Sequence, residues 1–369
     1  MFKVSYLDTK DIPIVKEFYQ KAYPEHFEKL SGSYFDWLYL DNIIESKIKI
    51  VVIKDDENNN IIAHEGLYND YIKFSGISYK VTWGTDLFVL PEYRGKGLAN
   101  NLHQFIHQNE DVYIAISMAE STRVLLEKFN HVYLKPINSL AIVFNDTFFL
   151  EKKNVASLLK HNYYILGKVF FLLIFKLKLK LNINFLTRRI LFKGEKNIVK
   201  NIYLCDFNDE PFLNFINTDV NTKQDTHVLT QEIINWKYIK QPGKEFKLFV
   251  YKNNDKILGY IIVYSQEIQN YSIGVISDIY STSTKVYSDL IDFAIDYFRK
   301  SKRVSLHILE SDRNNINELK RKDFIIINKR KPILISSKLT LKVLNLLKKS
   351  PIRFNYESHD IARYFNFRY

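Results

Sequence analysis

The 369 residues carry 53 Lys and Arg against 41 Asp and Glu, a formal net charge of +12, with 46% hydrophobic and 25% charged residues. That balance excludes a disordered chain, and the length exceeds what one ordinary core accommodates, so two domains are expected. The lone Cys205 excludes an internal disulfide and a cysteine-based metal centre, and no metal site is expected. The single cysteine fits the cytoplasm, and the opening Met-Phe-Lys-Val-Ser-Tyr-Leu-Asp has no basic stretch followed by an apolar core, so no signal peptide is expected. Its basic balance suits an anionic partner such as a nucleotide cofactor, RNA or an acidic membrane surface.

In chain order, apolar spacing predicts helices near 10–22 and 33–41, then strands near 47–54, 60–75 and 81–90. An amphipathic helix follows, with Leu98, Leu102, Phe105 and Ile106 on one face. A strand at 112–117, a helix at 119–129 and further strands to about 145 complete the first half. Parts of this order recur. Phe35-Asp36-Trp37-Leu38-Tyr39 is echoed by Ile234-Asn235-Trp236-Lys237-Tyr238, and Asn60-Ile61-Ile62-Ala63-His64 by Lys256-Ile257-Leu258-Gly259-Tyr260. Thr85-Asp86-Leu87 is echoed by Ser277-Asp278-Ile279, and Glu120-Ser121 with Phe129 by Glu310-Ser311 with Phe324. Four matches in one order predict two copies of one mixed α/β unit.

Between the copies, Val169 to Phe175 form an apolar run flanked by Lys168 and Lys176, with Lys178, Lys180, Arg188, Arg189 and Lys193 beyond it. The run is far short of the roughly 20 residues that span a bilayer. Residues 163–193 therefore suit either an anchor lying on an anionic membrane surface or a segment packed between domains.

Arg94-Gly95-Lys96-Gly97-Leu98-Ala99 stands between the strand ending in Val89-Leu90 and the amphipathic helix. A glycine turn at a helix start leaves the first amides free and lets phosphate approach, with Arg94 and Lys96 adding positive charge. Neither the Gly-x-Gly-x-x-Gly fingerprint nor the Gly-x-x-x-x-Gly-Lys-Ser/Thr loop is present.

Val89 to Ala99 resembles the acyl-CoA motif of the GNAT acetyltransferase superfamily, Gln/Arg-x-x-Gly-x-Gly/Ala, and the likeness extends over roughly residues 3–145. The resemblance implies an α/β fold of two GNAT-like units in tandem, in which acetyl-CoA or another acyl-CoA is held by Arg94, Gly95, Lys96, Gly97, Leu98, Ala99 and Asn100. It also implies a splayed strand at Leu87, Phe88 and Val89 along the pantetheine arm. Many members carry a tyrosine that protonates the departing thiolate, and here Leu126 stands in its place, leaving Ser117, Ser121, Tyr113 or water. Aligned without gaps, Gly97 falls on Asp289 in the second copy, which is expected to be degenerate.

Deprotonating an acceptor amine needs a base, and Asp86 and His64 are the candidates; Glu65 faces away from His64 by strand alternation. Trp37 and Trp83 are candidate platforms for the acceptor. The expected division is 1–150 with the acyl-CoA site, 151–197 connecting, 198–340 degenerate and 341–369 a tail. The expected activity is N-acyl transfer to a small or sugar-linked amine, within surface polysaccharide synthesis, with no DNA partner. A tRNA-using transferase resembling the Fem type and a non-catalytic CoA-binding scaffold are the alternatives.

Overall fold

The computed structural model describes residues 2–24, 31–44, 47–74, 76–116, 118–144, 201–223, 227–268, 271–336 and 338–349. The basic apolar segment at 163–193 and most of the expected tail lie outside them. Among the described residues, no helix is long and apolar enough to cross a membrane.

The first half contains β1 (Lys3–Tyr6), α1 (Ile12–Ala22), β2 (Ile50–Lys54), β3 (Ile61–Phe74), β4 (Ile77–Val89), α2 (Leu98–Asn109), β5 (Val112–Ala115), α3 (Glu120–Leu126), β6 (His131–Tyr133) and β7 (Ile137–Val143). The second repeats this order with β8 (Ile202–Cys205), α4 (Glu210–Phe215), β9 (Lys247–Asn253), β10 (Lys256–Ile268), β11 (Tyr271–Ser281), α5 (Thr284–Lys300), β12 (Ser305–Glu310), α6 (Arg313–Arg321), β13 (Ile325–Arg330) and β14 (Ile333–Ser336), followed by α7 (Leu341–Lys349). The mixed α/β class and the tandem repeat are as the sequence predicts. One echo is offset: Glu120 opens α3, whereas Glu310 ends β12 and Arg313 opens the matching helix.

Strand periodicity builds the layers. Alternate residues of β2 feed opposite cores, Val51 and Ile53 packing with Leu98, Leu102 and Ile106 of α2 while Ile50 and Val52 join a cluster that runs through both halves. In β10, Ile261 and Val263 pack with α5 while Tyr260 and Ile262 enter the shared cluster. Each sheet is thus buried on both faces.

Among the described residues, two seven-stranded sheets result, ordered β1-β2-β3-β4-β5-β14-β6 and β13-β7-β12-β11-β10-β9-β8. Counted from β1 and from β8, the sixth strand of each comes from the other half. β7 pairs antiparallel with β12 and β13, and β14 with β5 and β6. The connectors preceding β7 and β14 contain Pro136 and Pro332, and proline holds the residue before it extended, so each chain runs onward instead of folding back as a hairpin. The connectors meet where Leu134 N–H donates to Pro332 O at 3.0 Å. The exchange cuts across the expected division, because residues 137–143 lie in the second sheet and 333–336 in the first. Ile333, Leu334 and Ile335 are buried, and each contributes about 1.5–3 kcal/mol of apolar burial that neither half retains alone.

The repeat also forms the seam between the halves. Asp36–Leu40 and Asn235–Ile239 are both π-helical. They place Trp37 and Trp236 in a stack with centroids 4.9 Å apart at 18°. Trp37 Nε1 donates to Trp236 O at 2.8 Å and Trp236 Nε1 to Trp37 O at 3.0 Å, a reciprocal pair expected of a pseudo-two-fold axis.

Candidate active site

β4 and β5 are hydrogen-bonded only at Thr82↔Tyr113 and Trp83↔Ile114. β4 then continues to Val89, its opposite edge still paired with β3 at Thr85, Phe88 and Val89. Leu87, Phe88 and Val89 are half-buried on the resulting fork. A bulge falls between the pairs His64↔Phe88 and Gly66↔Thr85, and within it Asp86 has φ 54°, a left-handed conformation that aspartate tolerates better than most residues.

The turn into α2 leaves the first amides of the helix free. Gly95 and Gly97 have φ of 81° and 78°, and an added Cβ would meet nothing within 4 Å at either, so backbone conformation and not crowding demands glycine. Gly97 caps α2 with no side-chain hydrogen bond, and the first intrahelical bond is Asn101 N–H to Gly97 O at 3.1 Å. The amides of Leu98, Ala99 and Asn100 precede it and have no intrahelical acceptor. Arg94 and Lys96 are exposed beside them, the Arg94 guanidinium over the Phe88 ring and the Lys96 ammonium over the Tyr93 ring. Tyr93 Oη donates to Asp55 at 2.7 Å and ties the turn to the β2–β3 connection. Tyr93 and Asp55 form an anchor that sequence reasoning missed, because no pattern links residues 38 positions apart.

The second copy lacks this turn entirely. β11 ends at Ser281 and α5 begins at Thr284, with Ser283 capping Val286 N–H through its side chain. Asp289 lies inside α5, not at its start, so the ungapped match of Gly97 to Asp289 is corrected: a shortened connection and a side-chain cap stand in place of the glycine turn. Ser283→Ala is expected to lower stability by about 1 kcal/mol through loss of that cap, measured by denaturant unfolding.

Asp86 and His64 are brought together through a third residue. His64 is fully buried between Phe18 and Tyr19, and its Nε2 lies 3.5 Å from Tyr23 Oη, which donates to the Asp86 carbonyl oxygen at 2.8 Å. The Asp86 side chain is 9% exposed, with Oδ2 3.4 Å from Thr85 Oγ1. In the second copy Tyr260 takes the place of His64 and donates to Asp278 at 2.8 Å. Glu65 turns to the opposite face, toward α2, as strand alternation predicts.

The tryptophans are used differently from expectation. Trp37 is buried in the seam, and Trp83 is buried with His227 stacked 5.8 Å away, so neither indole is a platform for a diffusing acceptor. Their faces are spent on joining the halves. Leu126 is fully buried, and the Tyr113 hydroxyl is buried and donates to Glu65, which removes Tyr113 from thiolate protonation. Ser121 is exposed at the start of α3, and Ser117 lies outside the described residues.

The family model described as acetyltransferase (GNAT) matches residues 12–108. No curated protein matches the chain by sequence. The fold is similar to a GCN5-related N-acetyltransferase from Anabaena variabilis at 13% identity, covering 90% of this chain and 72% of that one with a TM-score of 0.58. It is also similar to a probable N-acyltransferase from Enterococcus faecalis, at 9% identity, 91% and 73% coverage and TM-score 0.55. The Saccharomyces cerevisiae N-myristoyltransferase with bound myristoyl-CoA matches at 10% identity, 91% and 82% coverage and TM-score 0.56.

Proposed function

We propose that this chain, whose residues 12–108 match the acetyltransferase (GNAT) family model, is an acyl-CoA-dependent N-acyltransferase with one acyl-CoA site. The observation that carries the reading is the asymmetry between the copies: a turn with two left-handed glycines and three amides free of intrahelical acceptors beside the fork in the first, and a self-capped helix in the second. Amides of Leu98, Ala99 and Asn100, with Arg94 and Lys96, suit the pyrophosphate, and the open edge at Leu87, Phe88 and Val89 suits an extended pantetheine arm. The donor supplies an activated thioester. Asp86 takes the proton of the acceptor amine, directly or through water, with Tyr23 holding the bulge and His64 behind it. Thiolate departure falls to water or to a serine, since a thiol with a pKa near 8.5 is a fair leaving group.

Acetyl-CoA is the donor we favour and a small or sugar-linked amine the acceptor, as in surface polysaccharide synthesis. Mass spectrometry of products from acetyl-CoA and a panel of amino-sugar nucleotides tests the acceptor. For the donor, calorimetry with acetyl-CoA is expected to show one site per chain, abolished by Gly97→Glu, which adds a carboxylate and a side chain unsuited to φ 78°. Two sites, or binding that survives the substitution, would reject the assignment.

A further inference from the structure

A buried polar cluster lies beneath the fork and outside the chemistry just described. Tyr113 Oη donates to Glu65 Oε1 at 2.6 Å, so β3 and β5 are joined across the intervening β4. The bond passes over Gly84, where an added Cβ would sit 2.1 Å from Tyr113 Oη and 2.6 Å from Glu65 Oε1, closer than any side chain allows. Gly84 is the residue after the last β4–β5 pair, Trp83↔Ile114, so the bond spans the vertex of the fork. On its other oxygen, Glu65 Oε2 stands 3.4 Å from Nε2 of His103, a fully buried residue of α2. His107, one turn further along α2, stacks on His103 with centroids 5.6 Å apart and meets the Tyr113 ring edge-on.

We infer that Glu65 and Tyr113 are positioning residues for the acyl-CoA site: their bond across Gly84 sets how β4 and β5 part, and the buried packing of Glu65 against His103 seats that fork on α2. The inference rests on the acyl-CoA reading above. An O–H···O bond forms only over a narrow range of distances, so one made across a glycine restrains the inter-strand geometry where ordinary ladder bonds stop.

The cluster's charge state gives the inference a second readout. Burial pushes the Glu65 carboxyl up to about 8, with the Tyr113 hydrogen bond opposing that rise. Burial lowers His103 to about 3, with His107 adding to the effect, and lowers His107 to about 4. The 3.4 Å contact therefore joins two neutral groups near neutral pH and is not an ion pair. Among the described residues, the polar groups in contact with Glu65 are Tyr113 from β5 and His103 from α2, with Gly84 of β4 beneath the Tyr113 bond and His107 stacked on His103. Tyr113 is held well above its usual value by burial and by Glu65, so it stays protonated. As pH rises through about 8 the carboxyl ionises; the Tyr113 bond, which favours that form, persists, but the charge is buried and uncompensated against His103, so the packing of Glu65 on α2 is what is disturbed.

Acetyl-CoA binding to the full chain decides the matter, measured by calorimetry near pH 7 and about pH 9 for wild type, Tyr113→Phe and Glu65→Gln, with melting curves recorded for each. Tyr113→Phe is expected to weaken binding about fivefold near neutral pH, the value of one hydrogen bond. The wild type is expected to lose affinity between the two pH values. Glu65→Gln keeps an acceptor for Tyr113 and cannot ionise, so it is expected to hold its affinity. Should Tyr113→Phe not fold, the comparison of Glu65→Gln with wild type decides alone. Unchanged affinity in Tyr113→Phe, or equal pH dependence in wild type and Glu65→Gln, overturns this inference and leaves the acyl-CoA reading standing. A wild type that binds no acetyl-CoA overturns both.

Discussion

Asp86→Asn is expected to lower kcat by about 10²- to 10⁴-fold while leaving acyl-CoA affinity unchanged, the range for loss of a general base. The substitution is conservative for the backbone. Asp86 sits at φ 54°, a conformation asparagine adopts readily, and the Tyr23 hydroxyl donates to its carbonyl oxygen, which asparagine retains. What disappears is a carboxylate that can take a proton at the end of the half-buried strand edge. Steady-state rates across pH, with acetyl-CoA affinity measured separately, make the comparison. Near-normal turnover in the variant at every pH would falsify the role, and His64→Gln would then be the variant to measure.

Asp70→Asn is expected to destabilise the protein by about 3–5 kcal/mol, because it leaves a buried ammonium without its counter-charge. Asp70 of β3 is fully buried, and its Oδ2 accepts from Lys237 Nζ at 2.6 Å and lies 2.8 Å from His227 Nδ1. Both partners come from the second half, and the same region is bridged by Ile72↔His227 and by Val228 N–H donating to Tyr71 O at 3.0 Å. Burial works against the Asp70 charge, but the Lys237 ammonium and His227 outweigh it and hold the carboxyl well below its usual range. Burial lowers His227 despite Asp70, so His227 acts as a neutral N–H donor. A depressed carboxyl contributes stability that is fully present above its unfolded value and is lost as pH falls through the acid range, so the deficit of Asp70→Asn is expected at neutral pH and to shrink in acid. Denaturant unfolding measures it. A loss under about 1 kcal/mol, or a deficit independent of pH, contradicts the latch, and the double substitution Asp70→Asn with Lys237→Met is expected to recover much of the loss.

The glycine turn before α2 was legible from the residues because its causes are local. Gly95 and Gly97 need left-handed backbone, the apolar spacing of Leu98, Leu102 and Ile106 specifies the helix that follows, and the two together leave amides exposed whatever surrounds them. The repeat was legible for a similar reason, since Trp37 and Trp236 occupy the same place in copies of one pattern. That these two indoles would grip each other, and not an acceptor, was beyond reach of either copy's pattern. An indole in a helix reads the same whether it faces a ligand or its own repeat.

Length, composition, the glycine turn and the order of elements belong to the sequence by itself, because propensity, periodicity and turn chemistry act over a few residues. The tertiary structure alone decided which sheet each sixth strand joins, since β7 and β14 are both short apolar strands that either sheet would accept by pattern. Their destination shows only in the ladders, where β7 pairs with β12 and β13 and β14 with β5 and β6, partners far away in sequence that no local pattern selects. The partners of Glu65 were decided the same way: alternation turned it from His64, but only packing brought His103 and Tyr113 to it, across a glycine whose missing side chain made room for the bond.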